Sequence, residues 1–261
     1  MIKFNKNRLI LAVVTSFIFS GFTVNSFSEE VPSHHQMSAE AEVLLEKMIS
    51  SDQRSQKHKA RDKYRHPAQT LKFFGLEPHM TAVEIWPGGQ GGWYREILEP
   101  FLADNGKYIP VRSKSAFPEH VDNVPYGEVD MVLIFRAHAF IMKKPPISDY
   151  VKTIYSMLKP GGIMAIVDHA GNENIPQSQD PEGKNGYINE SHFRAIAIKE
   201  GFEFLAESNV NRNPKDTKNY PRGVWSLPPT LSGSYPFTDE RAKYLAIGES
   251  DRFTVKFRKP E

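Results

Sequence analysis

Glycine is concentrated in one short stretch of the chain. Residues 87–92 hold four glycines and one proline, and they follow the apolar residues 81–86. The apolar residues predict a β-strand, and residues 93–102 predict a helix after the glycines. Glycine lets a backbone approach a ligand closely, and a helix N-terminus offers free N–H groups to an anion. This pattern favours a ligand-binding loop, with a plain strand-to-helix turn as the alternative.

Charged and imidazole side chains lie within the predicted strands or directly after them. Within the first strand, Glu84 is a candidate to orient the loop or to accept hydrogen bonds from a ribose or an amino group. Arg136 directly follows an apolar strand, where it needs an anion or a carboxylate such as Glu84. His169 follows the fourth strand and is a candidate general base, or a strand-end cap. His138 carries the same two interpretations, and the structural one is favoured.

The composition excludes several classes of site. The 261 residues contain no cysteine, which excludes disulfides, thiolate zinc sites and cysteine nucleophiles. His34 and His35 have no third ligand nearby in the sequence, so no metal site is predicted. The 33 basic residues nearly balance the 31 acidic ones, and this balance gives no electrostatic case for bulk nucleic-acid binding. We expect a small-molecule partner, and the sequence does not predict an oligomeric state.

Residues 1–28 are predicted to be a cleavable signal peptide. Three basic residues precede an apolar run over residues 9–22, and small residues flank a cleavage site near Ser28. The run is short for a membrane span, which needs about 20 residues. A retained N-terminal anchor is the alternative. We therefore expect a periplasmic protein with no membrane contact after cleavage.

Strand and helix patterns alternate along the remaining chain. Predicted strands cover residues 81–86, 107–111, 129–135, 163–167, 202–207 and 252–257, and predicted helices cover 39–50, 54–65, 67–74, 93–102, 147–158 and 190–200. Alternation of this kind predicts an α/β domain with a mostly parallel sheet. No strong helix precedes the last strand, so it is a candidate to pair antiparallel. Residues 209–249 predict a long loop. The predicted division is a signal peptide (1–28), an N-terminal helical segment (29–75) and one α/β domain (76–261).

Several motifs, in a fixed order, resemble a known family. They are Glu84-Ile85-Trp86-Pro87-Gly88-Gly89 followed by Trp93-Tyr94, the segment from Arg61 to Pro67, Phe73-Phe74-Gly75, the segment from Asp130 to Arg136, Leu158-Lys159-Pro160-Gly161-Gly162, Arg212-Asn213-Pro214, and the closing segment from Asp251 to Pro260. Over residues 54–260 the chain resembles the class I S-adenosylmethionine-dependent methyltransferases. More narrowly, it resembles an exported, periplasmic bacterial branch of predicted methyltransferases.

The resemblance implies a Rossmann-like methyltransferase fold. The family sheet has seven mostly parallel strands with an antiparallel last strand. The methionine part of S-adenosylmethionine would lie over residues 88–92, with Glu84 beneath it and Arg61 nearby. The residues implied to bind the cofactor are Glu84, Trp86, Gly88, Gly89, Gly91, Gly92, Tyr94, Phe135, Tyr64 and Arg65. Arg136 and His169 are the implied catalytic residues.

Three features depart from the family pattern. Trp86 stands where most of these enzymes have the first glycine. The second strand ends at Arg112 without the acid that usually holds the ribose hydroxyls, and an arginine suits a phosphate or carboxylate better. Only 17 residues separate Arg112 from Asp130, whereas a helix, a strand and another helix need about 30. We therefore expect the fold to be shortened in the middle.

Two functions are expected from these observations. The first is transfer of a methyl group from S-adenosylmethionine to an unidentified small acceptor. The second is a non-catalytic periplasmic ligand- or partner-binding protein that keeps the methyltransferase fold and binds an anion through Arg112 and Arg136. A nicotinamide-dependent oxidoreductase fits worse, because the spaced G-x-G-x-x-G motif is absent.

Overall fold

The structure is a computed structural model that describes residues 36–88 and 92–261. The predicted signal peptide, the pair His34-His35, and two of the predicted loop glycines, Gly89 and Gly91, lie outside the described residues.

Six strands form one mixed sheet. They are β1 (Thr81–Ile85), β2 (Lys107–Val111), β3 (Val129–Phe135), β4 (Leu158–His169), β5 (Glu203–Ser208) and β6 (Arg252–Arg258), in the spatial order β2-β1-β3-β4-β6-β5. The pairs β1–β2, β1–β3 and β3–β4 are parallel, while β6 is antiparallel to both β4 and β5. This topology confirms the predicted Rossmann-like α/β fold and the antiparallel last strand.

The described residues hold six strands rather than the seven that the resemblance implied. Between β2 and β3, the described chain forms turns instead of a helix–strand–helix unit. The apolar side chains of Phe117, Val121 and Val124 point from these turns into the core. The sheet therefore ends at β2, which is the shortening that the short spacing after Arg112 predicts.

The helices are α1 (Ala39–Ser50), α2 (Gln56–Lys59), α3 (Asp62–Arg65), α4 (Pro67–Phe74), α5 (Arg95–Phe101), α6 (His138–Ile141), α7 (Ile147–Met157), α8 (Glu190–Lys199) and α9 (Asp239–Ile247).

Three predictions about secondary-structure elements were wrong. The helix predicted over 54–65 is divided into α2 and α3. The predicted loop 209–249 contains α9. The strand predicted over 163–167 is longer at both ends, so the glycines at 161 and 162 lie within β4.

The N-terminal helices share one hydrophobic layer with the sheet. Leu45 of α1 and Phe74 of α4 are buried in the same cluster as Leu133 of β3. Burial of one such side chain contributes about 1.5–3 kcal/mol. The chain from residue 36 to residue 75 is thus held to the sheet by its apolar side chains, and this packing brings α3 to the edge where β3 and β4 end.

The opposite face of the sheet packs against α7 and α8. Val132 and Ile134 of β3 point to this face, alternating with the residues that point to the N-terminal helices. Because both faces are covered, ligands have access only at the edges of the sheet. Within the described parts of the chain, no helix has both the length and the apolar character that crossing a bilayer requires.

Candidate functional site

The loop after β1 has the backbone that its glycines predict. Trp86, Gly88 and Gly92 all have positive φ, at 51°, 93° and 69°. A Cβ on Gly92 would lie 2.5 Å from the carbonyl oxygen of Pro87, so only glycine fits there. A Cβ on Gly88 would meet no atom within 4 Å, so this glycine faces open space. Ligands bind in such sheets beyond the carboxyl ends of the strands, where the strand order reverses, and this loop lies there.

Trp86 packs on the side of the loop that faces α7. Its backbone N–H donates to the carbonyl of Val111 at 2.8 Å. Its ring meets Phe117 and Tyr150 edge-on, with ring centroids 6.3 and 6.1 Å apart. Trp86 therefore covers the core beside the shortened connection. A non-glycine residue at positive φ is unusual, and strained backbone of this kind clusters at functional sites.

Glu84 is a buried carboxyl with one side-chain donor. The hydroxyl of Tyr108 donates to Oε2 at 2.6 Å. Burial raises the pKa of Glu84 to about 7, although the bond from Tyr108 and the charge of Arg136 act in the opposite direction. The predicted ion pair between Arg136 and Glu84 is absent from the contacts of the described residues. A carboxyl with this pKa changes its charge near neutral pH, as acid–base and ligand-binding groups often do.

A buried carboxylate, Glu249, gathers arginines from distant parts of the chain. Arg61 Nε donates to Oε1 at 2.5 Å, and Arg65 Nε donates to Oε2 at 3.3 Å. Arg252 Nη2 also donates to Oε2. Burial opposes ionisation of Glu249, but the charges of Arg252, Arg65 and Arg61 together lower its pKa below the usual value. Glu249 is therefore ionised at neutral pH.

Arg136 stands beside this group without a direct partner. It has φ 58°, and its backbone N–H donates to the carbonyl of Val167 at 2.7 Å. Its guanidinium makes no hydrogen bond or ion pair within residues 36–88 and 92–261. Burial, followed by the charge of Arg252, lowers the pKa of Arg136 to about 10. We call Arg61, Arg65, Arg136 and Arg252, together with Glu249, the arginine cluster.

A small cavity lies against the arginine cluster. Its lining includes Arg65, Arg136, Arg252, Asn211, Tyr94 and Phe135. The rings of Tyr94 and Phe135 are stacked with centroids 3.4 Å apart. The free volume is about 10 Å³, which is the space of roughly one water molecule. The structure thus brings together four of the predicted site residues, namely Arg65, Tyr94, Phe135 and Arg136.

His169 lies at the end of β4, bonded to a neighbour of the cluster. Its Nδ1 is 2.5 Å from the hydroxyl oxygen of Ser250. Burial lowers the pKa of His169 to about 3, assisted by the charges of Arg252 and Arg136. The imidazole is therefore neutral at pH 7 and is a weak base there. Its catalytic role stays a prediction.

The other predicted histidine forms a buried pair. His138 Nδ1 lies 2.5 Å from Asp168 Oδ2, and neither side chain is exposed to solvent. The other carboxylate oxygen accepts from the backbone N–H of His169 at 2.6 Å. The ring of His138 packs against two phenylalanines of the core. These contacts agree with the structural interpretation of His138.

The N-terminal segment places one more predicted residue, Tyr64, beside the cluster. The carbonyl of Tyr64 accepts from Arg252 Nη1 at 2.9 Å. A Cβ on Gly248 would come within 2.8 Å of the Tyr64 ring, so the ring packs closely on that turn. The guanidinium of Arg65 lies 4.9 Å from the ring centroid of Trp93. By contrast, Arg112 is exposed, and its side chain makes no hydrogen bond or ion pair with a described residue.

Sequence reasoning missed Glu249 and Asn211 and did not assign a role to Arg252. The contact between Arg61 and Glu249 joins residues 188 positions apart. One signal was present, because Arg252 begins a strand in which polar and apolar residues alternate. Among the described residues, no group of three or more His, Asp or Glu side chains is arranged to hold a metal ion.

Comparisons with known proteins give structural neighbours only. No family model matches the chain, and no curated protein matches its sequence. A SAM-dependent methyltransferase from Aquifex aeolicus is 15% identical, covers 84% of this chain and 98% of its own, and has a TM-score of 0.48. Geranyl diphosphate C-methyltransferase from Streptomyces coelicolor A3(2) is 13% identical, covers 90% and 94%, and has a TM-score of 0.47.

A third neighbour, the cyclase SpnF, is 16% identical, covers 81% of this chain and 86% of its own, and has a TM-score of 0.46. At these identities, the similarity is one of backbone path and does not extend to function. The strand order of the sheet is the observation that establishes the fold class, and one fold hosts many activities.

Proposed function

We propose that this protein is an S-adenosylmethionine-dependent methyltransferase that acts on a small acceptor. The observation that carries the proposal is the loop after β1, where Gly88 faces open space at the point where the strand order reverses. Buried Glu84 lies in the strand that leads into this loop.

The residues around the loop fit the methionine part of the cofactor. Gly88 allows a ligand to approach the backbone closely, Gly92 permits the tight turn of the loop, and Glu84 is a hydrogen-bond acceptor when it is ionised. Bound S-adenosylmethionine would supply an electrophilic methyl group. The fit does not extend to the ribose, because β2 leads into the exposed Arg112 and not into an acid.

The protein's own contribution to methyl transfer is positioning. Holding two reactants in line removes several kcal/mol of the barrier, on the order of 7–11 kcal/mol in the best cases. His169 contributes little as a base at neutral pH, since its pKa is about 3. An acceptor that is already deprotonated, or one that loses its proton to water, therefore suits this site best.

Export to the periplasm belongs to the same proposal. It is supported by the signal-peptide pattern of residues 1–28, with cleavage near Ser28. Fractionation of cells, followed by N-terminal sequencing of the purified protein, tests it. A full-length chain in the cytoplasmic fraction contradicts it.

Calorimetric titration with S-adenosylhomocysteine tests cofactor binding. Gly88→Ala places a methyl group in the open space over the loop. Gly127→Ala is a matched control, because Gly127 also has positive φ, also has no atom within 4 Å of its added Cβ, and lies just before β3 at the opposite end of the sheet. We expect micromolar binding in the wild type and the control, and at least tenfold weaker binding in Gly88→Ala. Absence of binding to the folded protein at millimolar ligand refutes the proposal.

A non-catalytic ligand-binding protein is the second candidate. Two observations favour it: no acid stands at the end of β2, and the turns between β2 and β3 replace the region that would complete a nucleoside pocket. This candidate predicts no binding of S-adenosylhomocysteine by a protein that binds another small molecule at the same edge of the sheet. Turnover of a methyl donor excludes it.

A further inference from the structure

The arginine cluster contains more positive than negative charge. It contains four guanidinium groups and one carboxylate, so its net charge is +3. Arginine stays protonated at every physiological pH and has no acceptor atom. Buried charge is costly unless it is paired. Glu249, the carboxylate of the cluster, therefore balances only one of its four positive charges.

Several donors of the cluster are buried without an acceptor. They are both Nη atoms of Arg65, Nη2 of Arg61 and Nε of Arg252. Only 3% of the Arg65 side chain is exposed, so solvent does not satisfy these groups. Contact with the face of Trp93 stabilises the charge of Arg65 but accepts no in-plane hydrogen bond. Buried donors without partners are rare in native proteins and need an explanation.

Two other carboxyl groups interact electrostatically with Arg136. The charge of Arg136 lowers the pKa of Glu84, and the charge of Asp168 raises the pKa of Arg136. Glu84 is bonded to Tyr108, however, and Asp168 is held by His138. Neither carboxylate makes a hydrogen bond to an arginine of the cluster within the described residues.

Three of the four arginines border a common space. Arg65, Arg136 and Arg252 line the cavity described above. Arg136 is partly exposed and has no hydrogen-bonding partner among the described residues. A volume of about 10 Å³ admits a single oxygen atom of a ligand, and the remaining atoms would lie outside it, within reach of Arg136.

We infer that the arginine cluster binds a doubly charged oxyanion, either inorganic phosphate or the phosphate group of a monoester. A monoanion would leave two positive charges unbalanced, whereas a dianion leaves one. Planar guanidinium groups bind phosphate oxygens through paired hydrogen bonds, which a point charge cannot do. The inference rests on the charges and donors of the cluster and does not depend on methyl transfer.

Calorimetric titrations at pH 8 and constant ionic strength test this inference. The probes are inorganic phosphate, phenyl phosphate as a monoester, and acetate as a monoanion. The variants are Arg136→Gln, which removes the unpaired charge, and Arg136→Lys, which keeps the charge without the planar fork. Arg258→Gln is the control, because Arg258 lies at the other end of β6 and pairs with the half-exposed Glu203.

We expect phosphate or phenyl phosphate to bind at least tenfold more tightly than acetate. Arg136→Gln should weaken that binding at least tenfold, Arg136→Lys should weaken it less, and Arg258→Gln should leave it unchanged. Tighter binding of phenyl phosphate identifies a monoester ligand, and equal or tighter binding of inorganic phosphate identifies the free ion. Because Arg136 has no ion pair to lose, its variants should fold, which thermal unfolding checks.

Three results overturn the inference. The first is equal binding of phosphate and acetate, and the second is equal phosphate binding by all variants. The third is a loss of S-adenosylhomocysteine affinity in Arg136→Gln with phosphate affinity unchanged, which would assign the cluster to the carboxylate of the cofactor. Failure of S-adenosylhomocysteine to bind the wild type refutes only the methyltransferase proposal.

Discussion

Replacement of Glu249 by glutamine is the sharpest test of how the arginine cluster is held together. The substitution keeps the shape of the side chain and one acceptor oxygen but removes the negative charge. Arg61, Arg65 and Arg252 each donate to this carboxylate, and only 2% of its side chain is exposed. The variant therefore leaves four guanidinium groups around a neutral amide.

The expected loss of stability follows from the burial of these charges. Removing one partner of a buried ion pair lowers the free energy of unfolding by about 3–5 kcal/mol, because it leaves an uncompensated charge in the interior. A domain of this size loses about 2–4 °C in Tm for each kcal/mol. Glu249→Gln should therefore lower Tm by roughly 6–20 °C. Glu99→Gln is the matched control, since Glu99 is half-exposed and pairs with Arg95 on the surface, where such pairs contribute at most about 1 kcal/mol.

The difference in stability between the wild type and Glu249→Gln should depend on pH. The pKa of Glu249 is lowered in the folded protein, so its contribution is present above the unfolded-state pKa, which is about 4.3. The contribution is lost as pH falls through the lower, folded-state pKa. Urea unfolding at pH 7 and below pH 4 should therefore show a large difference between wild type and Glu249→Gln at pH 7 and a smaller one in acid.

The same unfolding experiment is repeated with added phosphate. If the cluster binds a dianion, added phosphate should stabilise Glu249→Gln more than it stabilises the wild type, because the net charge of the cluster rises to +4. A loss below 1 kcal/mol in Glu249→Gln, equal to that of Glu99→Gln, would refute the electrostatic account of the cluster. Equal stabilisation of both proteins by phosphate would refute the account of its excess charge.

Three further substitutions have expected outcomes. Burial raises the pKa of Glu84 to about 7. The contribution of the protonated carboxyl to folding stability is therefore present below the unfolded-state pKa and is lost as pH rises from about 4.5 to 7, up to about 3 kcal/mol. Glu84→Gln should flatten this pH dependence in urea unfolding at pH 5 and pH 8, and a slope that persists in the variant contradicts the assignment. Tyr108→Phe removes a bond that lowers this pKa, so the loss should extend to higher pH. The carboxylate of Asp62 accepts two hydrogen bonds, at 2.7 and 2.8 Å, from the buried guanidinium of Arg54. Asp62→Asn removes the negative charge and one of the two acceptor oxygens, and it should destabilise the protein by about 2–3 kcal/mol in thermal unfolding. Asp52→Asn is its control, because Asp52 is fully exposed, and an equal effect of the two substitutions would show that the burial of Arg54 is irrelevant.

The fold was predictable from sequence where hydrophobic runs and spacing were strong. β2 (Lys107–Val111) and β3 (Val129–Phe135) have the predicted bounds, because each is a short apolar run between turn residues. The helix predicted over residues 54–65 was wrong because the charged sequence there carries no strong apolar stripe to enforce continuity. The missed α9 is likewise a weakly amphipathic helix, and it begins at a Thr238 cap inside a segment rich in turn residues. Local pattern predicts an element only when burial and propensity agree.

The site was only half predictable. The loop after β1 and the residues at the end of β3 follow from strand ends, which sequence patterns reveal. The local sequence does not reveal the partner of Arg61 and Arg65, because Glu249 lies 188 and 184 residues away, at the end of the segment predicted to be a loop. Likewise the neutral state of His169 depends on burial and on two arginine charges, which no local spacing discloses.

The antiparallel direction of β6 explains why the arginine cluster forms at the ligand edge of the sheet. In a sheet of parallel strands, the carboxyl ends of β3 and β4 mark that edge, and a parallel last strand would place Arg258 there. Because β6 runs the other way, its first residue pairs with the last residue of β4, so Arg252 lies opposite His169. The turn before β6 then delivers Glu249 to the same place. The reversed direction of β6 thus brings the guanidinium of Arg252 to the edge where Arg136 follows β3. It also brings Glu249 there, whose carboxylate binds three of the four arginines.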